Sequence, residues 1–99
     1  MKDTLNKLRD ESHNYAKSKG FYDNEPRNFG ELIALIHSEV SEALEADRRG
    51  DINMVGEEFA DILIRVFDAA GYYNIDLDYH VKRKMDINKN RPYKHGKKY

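Results

Sequence analysis

The stretch from Asn28 to Gly50, NFGELIALIHSEVSEALEADRRG, decides the fold. At about 100° per residue, Phe29, Leu32, Ile33, Leu35, Ile36, Val40, Ala43 and Leu44 fall on one wide arc of a helical wheel. Asn28 is a good N-cap and Gly50 a good residue just past a helix end, so the spacing predicts a helix over Phe29–Arg48. Glu39 lies inside the apolar arc, between Leu32 and Leu35 in direction, and Glu42 sits at the arc's edge. A lone buried carboxylate is costly unless something compensates it, and two on one face also repel each other. A divalent cation removes both penalties.

Downstream, the spacing predicts a helix from about Asn53 to Tyr73. Val55, Phe59, Ile62, Leu63, Val66, Ala69, Ala70 and Tyr73 form its arc, widened by Ala60, Ile64 and Phe67. Apolar around more than half its circumference, this helix should be well buried. Its polar stripe holds Glu58, Asp61, Arg65 and Asp68, with Asp68 expected to pair with Arg65 or another basic residue. Two acidic pairs at i,i+3 on consecutive helices can face each other across a short hairpin. Hard oxygen donors of that kind suit Mg²⁺ or Mn²⁺ rather than zinc.

A third helix is expected from an Asp76 N-cap to about Lys89, before Pro92. Leu77, His80, Val81, Lys84, Asn88 and, if helical that far, Arg91 share one of its faces. Lys84 and Asn88 occupy the middle of that face, where a simple core would carry Leu or Ile. A cation and an amide aimed inward would read phosphate and base or sugar, and the tail cations Arg91, Lys94 and Lys97 could close over phosphates. His80 is expected in the core; His37, Glu45 and Glu57 are expected in solvent. Upstream, a weakly amphipathic helix runs from about Thr4 to Lys19, ended by Gly20, and 21–27 reads as a loop. No alternation of β type and no repeat interrupts the pattern. The expectation is an all-α bundle of about four helices, in one domain spanning 1–99.

Composition agrees. The chain has 99 residues, 39% hydrophobic and 35% charged, with a formal net charge of −1. That balance gives no basic field for a nucleic-acid polymer. No apolar run approaches the ~20 residues of a membrane span, and the charged start MKDTLNKLRD lacks the apolar stretch of a signal peptide. The absence of cysteine removes disulfides, thiolate zinc sites and thiol nucleophiles, and fits a cytoplasmic location. A core this small is often completed by oligomerisation.

The order Glu39-Val40-Ser41-Glu42, then Glu58-Phe59-Ala60-Asp61, is E-x-x-E followed by E-x-x-D. It resembles the metal-binding signature of the MazG, or all-α nucleotide pyrophosphohydrolase, superfamily. KMDINKNRPYKHGK resembles the K-x-x-x-N element with a following Arg found in many members, including dCTP pyrophosphatase-like single-domain proteins. The resemblance covers about 28–97. It implies that Glu39, Glu42, Glu58 and Asp61 bind Mg²⁺, for which Mn²⁺ may substitute. Glu39 and Glu42 would also be catalytic, Glu42 being slightly favoured as general base. Lys84, Asn88 and Arg91 would contact the nucleotide substrate. The implied reaction is hydrolysis of a dNTP or non-standard NTP to the monophosphate and pyrophosphate, a house-cleaning activity. The implied assembly is a homodimer or homotetramer, with the site walled partly by a neighbouring subunit. The tryptophans that line the base pocket in some relatives are missing here, leaving Phe21, Tyr22, Phe29 or Tyr93 as substitutes.

Three alternatives compete. A phosphoribosyl-ATP pyrophosphohydrolase shares the fold and chemistry. A non-catalytic MazG-like interaction module would need none of the acids. A di-iron bundle wants Glu-x-x-His pairs, and neither His37 nor His80 lies three residues after a glutamate.

Overall fold

The computed structural model describes residues 3–98. Four helices follow one another: α1 (Thr4–Ser18), α2 (Phe29–Arg48), α3 (Ile52–Tyr72) and α4 (Leu77–Lys89). A short turn, Tyr93–Gly96, follows, with Lys94 and His95 in left-handed backbone. No strand occurs among the described residues, and no helix among them is long and apolar enough to cross a membrane. The bundle expected from the spacing is therefore present, with each helix bound within a residue of its expected position.

Local rules account for the ends. Asn28, Asp51 and Asp76 each accept a bond from a backbone N–H three residues on, at 3.1, 3.1 and 3.0 Å. Gly50 takes φ +72° between α2 and α3, a conformation that favours glycine, and the three-residue link makes the two helices antiparallel neighbours.

α1 lacks a cap of its own: the Asp3 side chain makes no capping bond. Instead Asp78, in the first turn of α4, accepts from the N–H groups of Leu5 and Asn6 at 3.1 and 2.9 Å. Asn6 returns the favour, accepting from the N–H of Leu77 at 2.9 Å and donating to Asp76 at 3.0 Å. Arg9 adds a bond to the carbonyl of Ile75 at 2.9 Å. The two helix starts cap each other, and this pins α4 to α1. The bond from Asn6, then that from the Tyr79 N–H, with Arg9 and His80 nearby, hold the Asp76 carboxyl below its usual range.

α3 is the axis of the fold, packed between α1 and α2. Its crossing with α1 is close: a Cβ at Gly71 would lie 2.5 Å from Cβ of His13 and 3.2 Å from the carbonyl oxygen of Arg9. Gly71→Ala would gain up to about 1 kcal/mol in helix propensity. It would also push backbone against backbone, and overpacking of that kind costs about 1–3 kcal/mol. The clash is with a Cβ and a carbonyl, neither of which can rotate away, so the cost wins. We expect a net loss of about 1 kcal/mol, a fall in Tm of about 4–8 °C for a domain of this size. Thermal denaturation followed by circular dichroism checks it; an unchanged or higher Tm would mean propensity prevails.

The core is thin. Its buried apolar residues are Ala16, Tyr22, Leu32, Ala43, Ala46, Ala69 and Ala70. The well-buried α3 expected from its wide arc is not found within one chain: Phe59 and Leu63 are 57% and 54% exposed, and Ile52 is 75% exposed. α1 and α2 cover only part of its circumference. The arc of α2 splits likewise, with Leu32 and Ala43 inside and Val40 and Leu44 outside. The radius of gyration is 15.9 Å, against about 13 Å for a compact chain of this length.

Candidate metal and nucleotide site

The stripe of α2 that faces α3 buries Leu32, Ala43 and Ala46, and Glu39 stands among them at 9% exposure. On α3, Glu58 and Asp61 share a side at i,i+3 and meet Glu39 across the hairpin. Carboxylate oxygens of Glu39, Glu58 and Asp61 all lie within 4.8 Å of one another. Oε2 of Glu58 is buried and has no hydrogen-bond partner. Burial, then the hydrogen-bonding carboxyl of Glu42, then the charges of Glu42, Asp61 and Glu39 push the Glu58 carboxyl up from its ordinary value.

Native proteins seldom leave a buried oxygen orphaned. Here the orphan belongs to a carboxyl with three others, Glu42, Asp61 and Glu39, around it. A divalent cation would satisfy the oxygen and cancel the repulsion together, and an all-oxygen donor set suits Mg²⁺ or Mn²⁺. The residues present fit such an ion.

Arg65 lies one turn beyond Asp61 on α3. Its Nε is 3.5 Å from Oε1 of Glu39, an ion pair too long for a hydrogen bond. One further turn on, Asp68 is largely buried. Its Oδ1 accepts from the Tyr22 hydroxyl at 3.0 Å and lies 3.0 Å from Nδ1 of His13. Burial, followed by the bond to Asp68, drives the Tyr22 phenol well above its ordinary value and keeps it a donor. The Tyr22 ring stacks on Tyr72 at 4.9 Å, and the Arg27 guanidinium sits 5.3 Å from the Tyr22 centroid.

Beside the carboxylates opens a cleft of about 390 Å³, lined by Ser12, Tyr15, Ala16, Phe21, Glu39, Asp61, Ile64, Arg65 and Asp68. A second hollow of about 260 Å³ shares Phe21, Arg65 and Asp68 with it and adds Arg27, Glu31, Leu32 and Leu35. Carboxylates, arginines and exposed aromatic rings thus meet at one place. A larger groove, about 810 Å³, runs between the start of α1 and α4. Of the four acids that line it, Asp76 and Asp78 are engaged in capping and Asp86 pairs with Lys82, and no carboxylate of the α2–α3 cluster lines it.

The structure brings together Glu39, Glu58 and Asp61, as the spacing predicts. Glu42 is exposed and reaches Glu58 but does not join the triad. Lys84, Asn88 and Arg91 are exposed on and just beyond α4, which packs chiefly on α1, and none of them lines the cleft. Arg91 instead contacts Nδ1 of His95 at 3.1 Å. His80, expected in the core, is exposed and lies edge-on to Tyr79; the mutual capping of α1 and α4 turns its side of the helix outward. His37, Glu45 and Glu57 are exposed, as expected. The spacing missed the parts of Arg65, Asp68 and Arg27. Arg65 at i+4 from Asp61 is a visible signal; Asp68, expected to pair with Arg65 or another basic residue, pairs with His13, and Arg65 pairs with Glu39.

Compared with known protein families, with curated proteins and with solved structures, the chain matches none.

Proposed function

We propose that this chain is a Mg²⁺-dependent nucleoside triphosphate pyrophosphohydrolase of the MazG type. The observation that carries the reading is the meeting of Glu39, Glu58 and Asp61, with Oε2 of Glu58 buried and unpartnered. Glu39, Glu58 and Asp61 would hold the metal, with Glu42 at the rim. When bound, Mg²⁺ supplies counter-charge for a triphosphate and makes a bound water more acidic. Glu42, exposed and beside Glu58, would take a proton from the attacking water. The cleft lined by Tyr15 and Phe21 offers the nucleoside an apolar wall. The chain has no Gly-rich phosphate loop and no cysteine, which favours direct attack by water over a covalent route.

Oligomerisation belongs to the same proposal. The chain exposes 7759 Å², where a compact monomer of its mass exposes about 5,800 Å². Much of α2 and α3 is left open at Val40, Leu44, Ile52, Phe59 and Leu63. A second copy on these edges would complete the core as a homodimer, or a homotetramer by further pairing. Lys84, Asn88 and Arg91, exposed on the outside of each copy, are available to a neighbour's site.

The test is incubation with Mg²⁺ and a panel of canonical and modified NTPs and dNTPs, with products separated by anion exchange, with and without inorganic pyrophosphatase. The expected products are a monophosphate and pyrophosphate. Orthophosphate and a diphosphate without the second enzyme would overturn the assignment. The ion pair of Arg65 with Glu39 favours one other reading, a non-catalytic helical module whose acids are neutralised from within. No turnover of any nucleotide with Mg²⁺ or Mn²⁺ would support it.

A further inference from the structure

Arg65 has a place in the site that the acidic motif does not account for. It stands on the same side of α3 as Glu58 and Asp61, and it lines both hollows next to the carboxylates. Its pair with Glu39 is loose, 3.5 Å through Nε alone, and no hydrogen bond involving its guanidinium occurs among the described residues. The side chain is 36% exposed, so it has room to turn. An arginine held this way has most of its five donors unspent.

We propose that Arg65 is a substrate-contacting cation that exchanges partners: Glu39 in the empty protein, and a phosphate of the nucleotide once the carboxylates hold their metal. This rests on the pyrophosphohydrolase reading. The argument is one of charge. Without a metal, Glu39 is largely buried beside two other carboxylates, and Arg65 is the cation paired with it. A divalent ion takes over that task with twice the charge and direct ligation. Arg65, released from Glu39, then faces the cleft with most of its donors unspent, where an anionic ligand must enter. Guanidinium and phosphate match in charge and in fork geometry. Tyr15 and Phe21 line the same cleft, so Arg65 would meet the phosphate nearest the nucleoside.

The exchange predicts opposite effects on metal and nucleotide. Arg65→Gln removes the competitor for Glu39, so Mn²⁺ alone should bind severalfold tighter by calorimetry. With Mg²⁺ saturating, the α,β-methylene analogues of dCTP, dUTP, dATP and dGTP should bind at least about tenfold more weakly. Arg65→Lys, which keeps the charge but loses the fork, should fall between. Circular dichroism confirms that both variants stay helical. If the wild type binds an analogue and Arg65→Gln binds it equally well, Arg65 is only an internal partner of Glu39 and the inference is overturned. If the wild type binds Mn²⁺ but no analogue, the nucleotide reading falls and takes this inference with it. If the wild type binds neither, the metal site falls first.

Discussion

Glu39→Gln is expected to lower kcat/KM by at least about a hundredfold, since loss of partners that merely orient metal ligands already costs 10–100-fold. Glu39 is the most enclosed member of the triad and sits opposite both acids of α3. Saturating Mg²⁺ should raise the Tm of the wild type by mass action, and the variant should lose most of that rise. Equal responses of wild type and variant to Mg²⁺ would show that these carboxylates hold no ion.

Glu58→Gln separates the cost of the cluster from its use. The folded-state pKa of Glu58 is raised above its ordinary value of 4.5. Its contribution to stability is therefore full below that value and is lost as pH rises through the elevated one. The metal-free wild type should lose stability as pH rises above about 4.5 on this account, and Glu58→Gln should flatten that slope while raising Tm at neutral pH. Asp76 and Asp10 act in the opposite sense and lower down. Their pKa values are depressed below 3.8, so their contribution is lost only as pH falls further. With Tm titrated in chelator above pH 4.5, the difference in slope between wild type and variant reports Glu58, and an unchanged slope in the variant would contradict the arrangement.

The second large effect concerns assembly. Leu63→Glu puts a charge on the open face of α3 that Ile52 and Phe59 share with it at helical spacing. Disrupting a central apolar contact of an interface costs about 2–4 kcal/mol, so the dissociation constant should rise about 30- to 1000-fold. Leu63 is more than half exposed in a single chain, so the variant monomer should keep its helical signal. Light scattering at tens of micromolar reads the outcome. A wild type that is already monomeric there would remove the oligomer from the proposal; a variant that still associates would move the interface away from this face.

Helix bounds, the N-caps at Asn28 and Asp76 and the turn at Gly50 were legible in the sequence because each is decided within a few residues. So was the convergence of Glu39 with Glu58 and Asp61. Two i,i+3 pairs joined by a three-residue link leave the helices little freedom except to face each other.

Long-range packing decided the rest. The wheel of α4 gave Lys84 and Asn88 an inward face and His80 a place in the core. The structure turns all three outward, because Asp78 and Asn6 bind α4 to the start of α1 across some 70 residues of chain. Arg65 and Asp68 share one stripe, and spacing alone leaves open whether Asp68 pairs with Arg65 or with another basic residue. They part because α2 offers Arg65 the carboxylate of Glu39, while the close crossing at Gly71 brings His13 of α1 to Asp68. The sequence by itself determined the helices and which acids could meet, since both follow from spacing along one backbone. Only the tertiary structure decided which side of each helix is covered and which cation faces the acids, since these depend on contacts between helices that no local periodicity encodes.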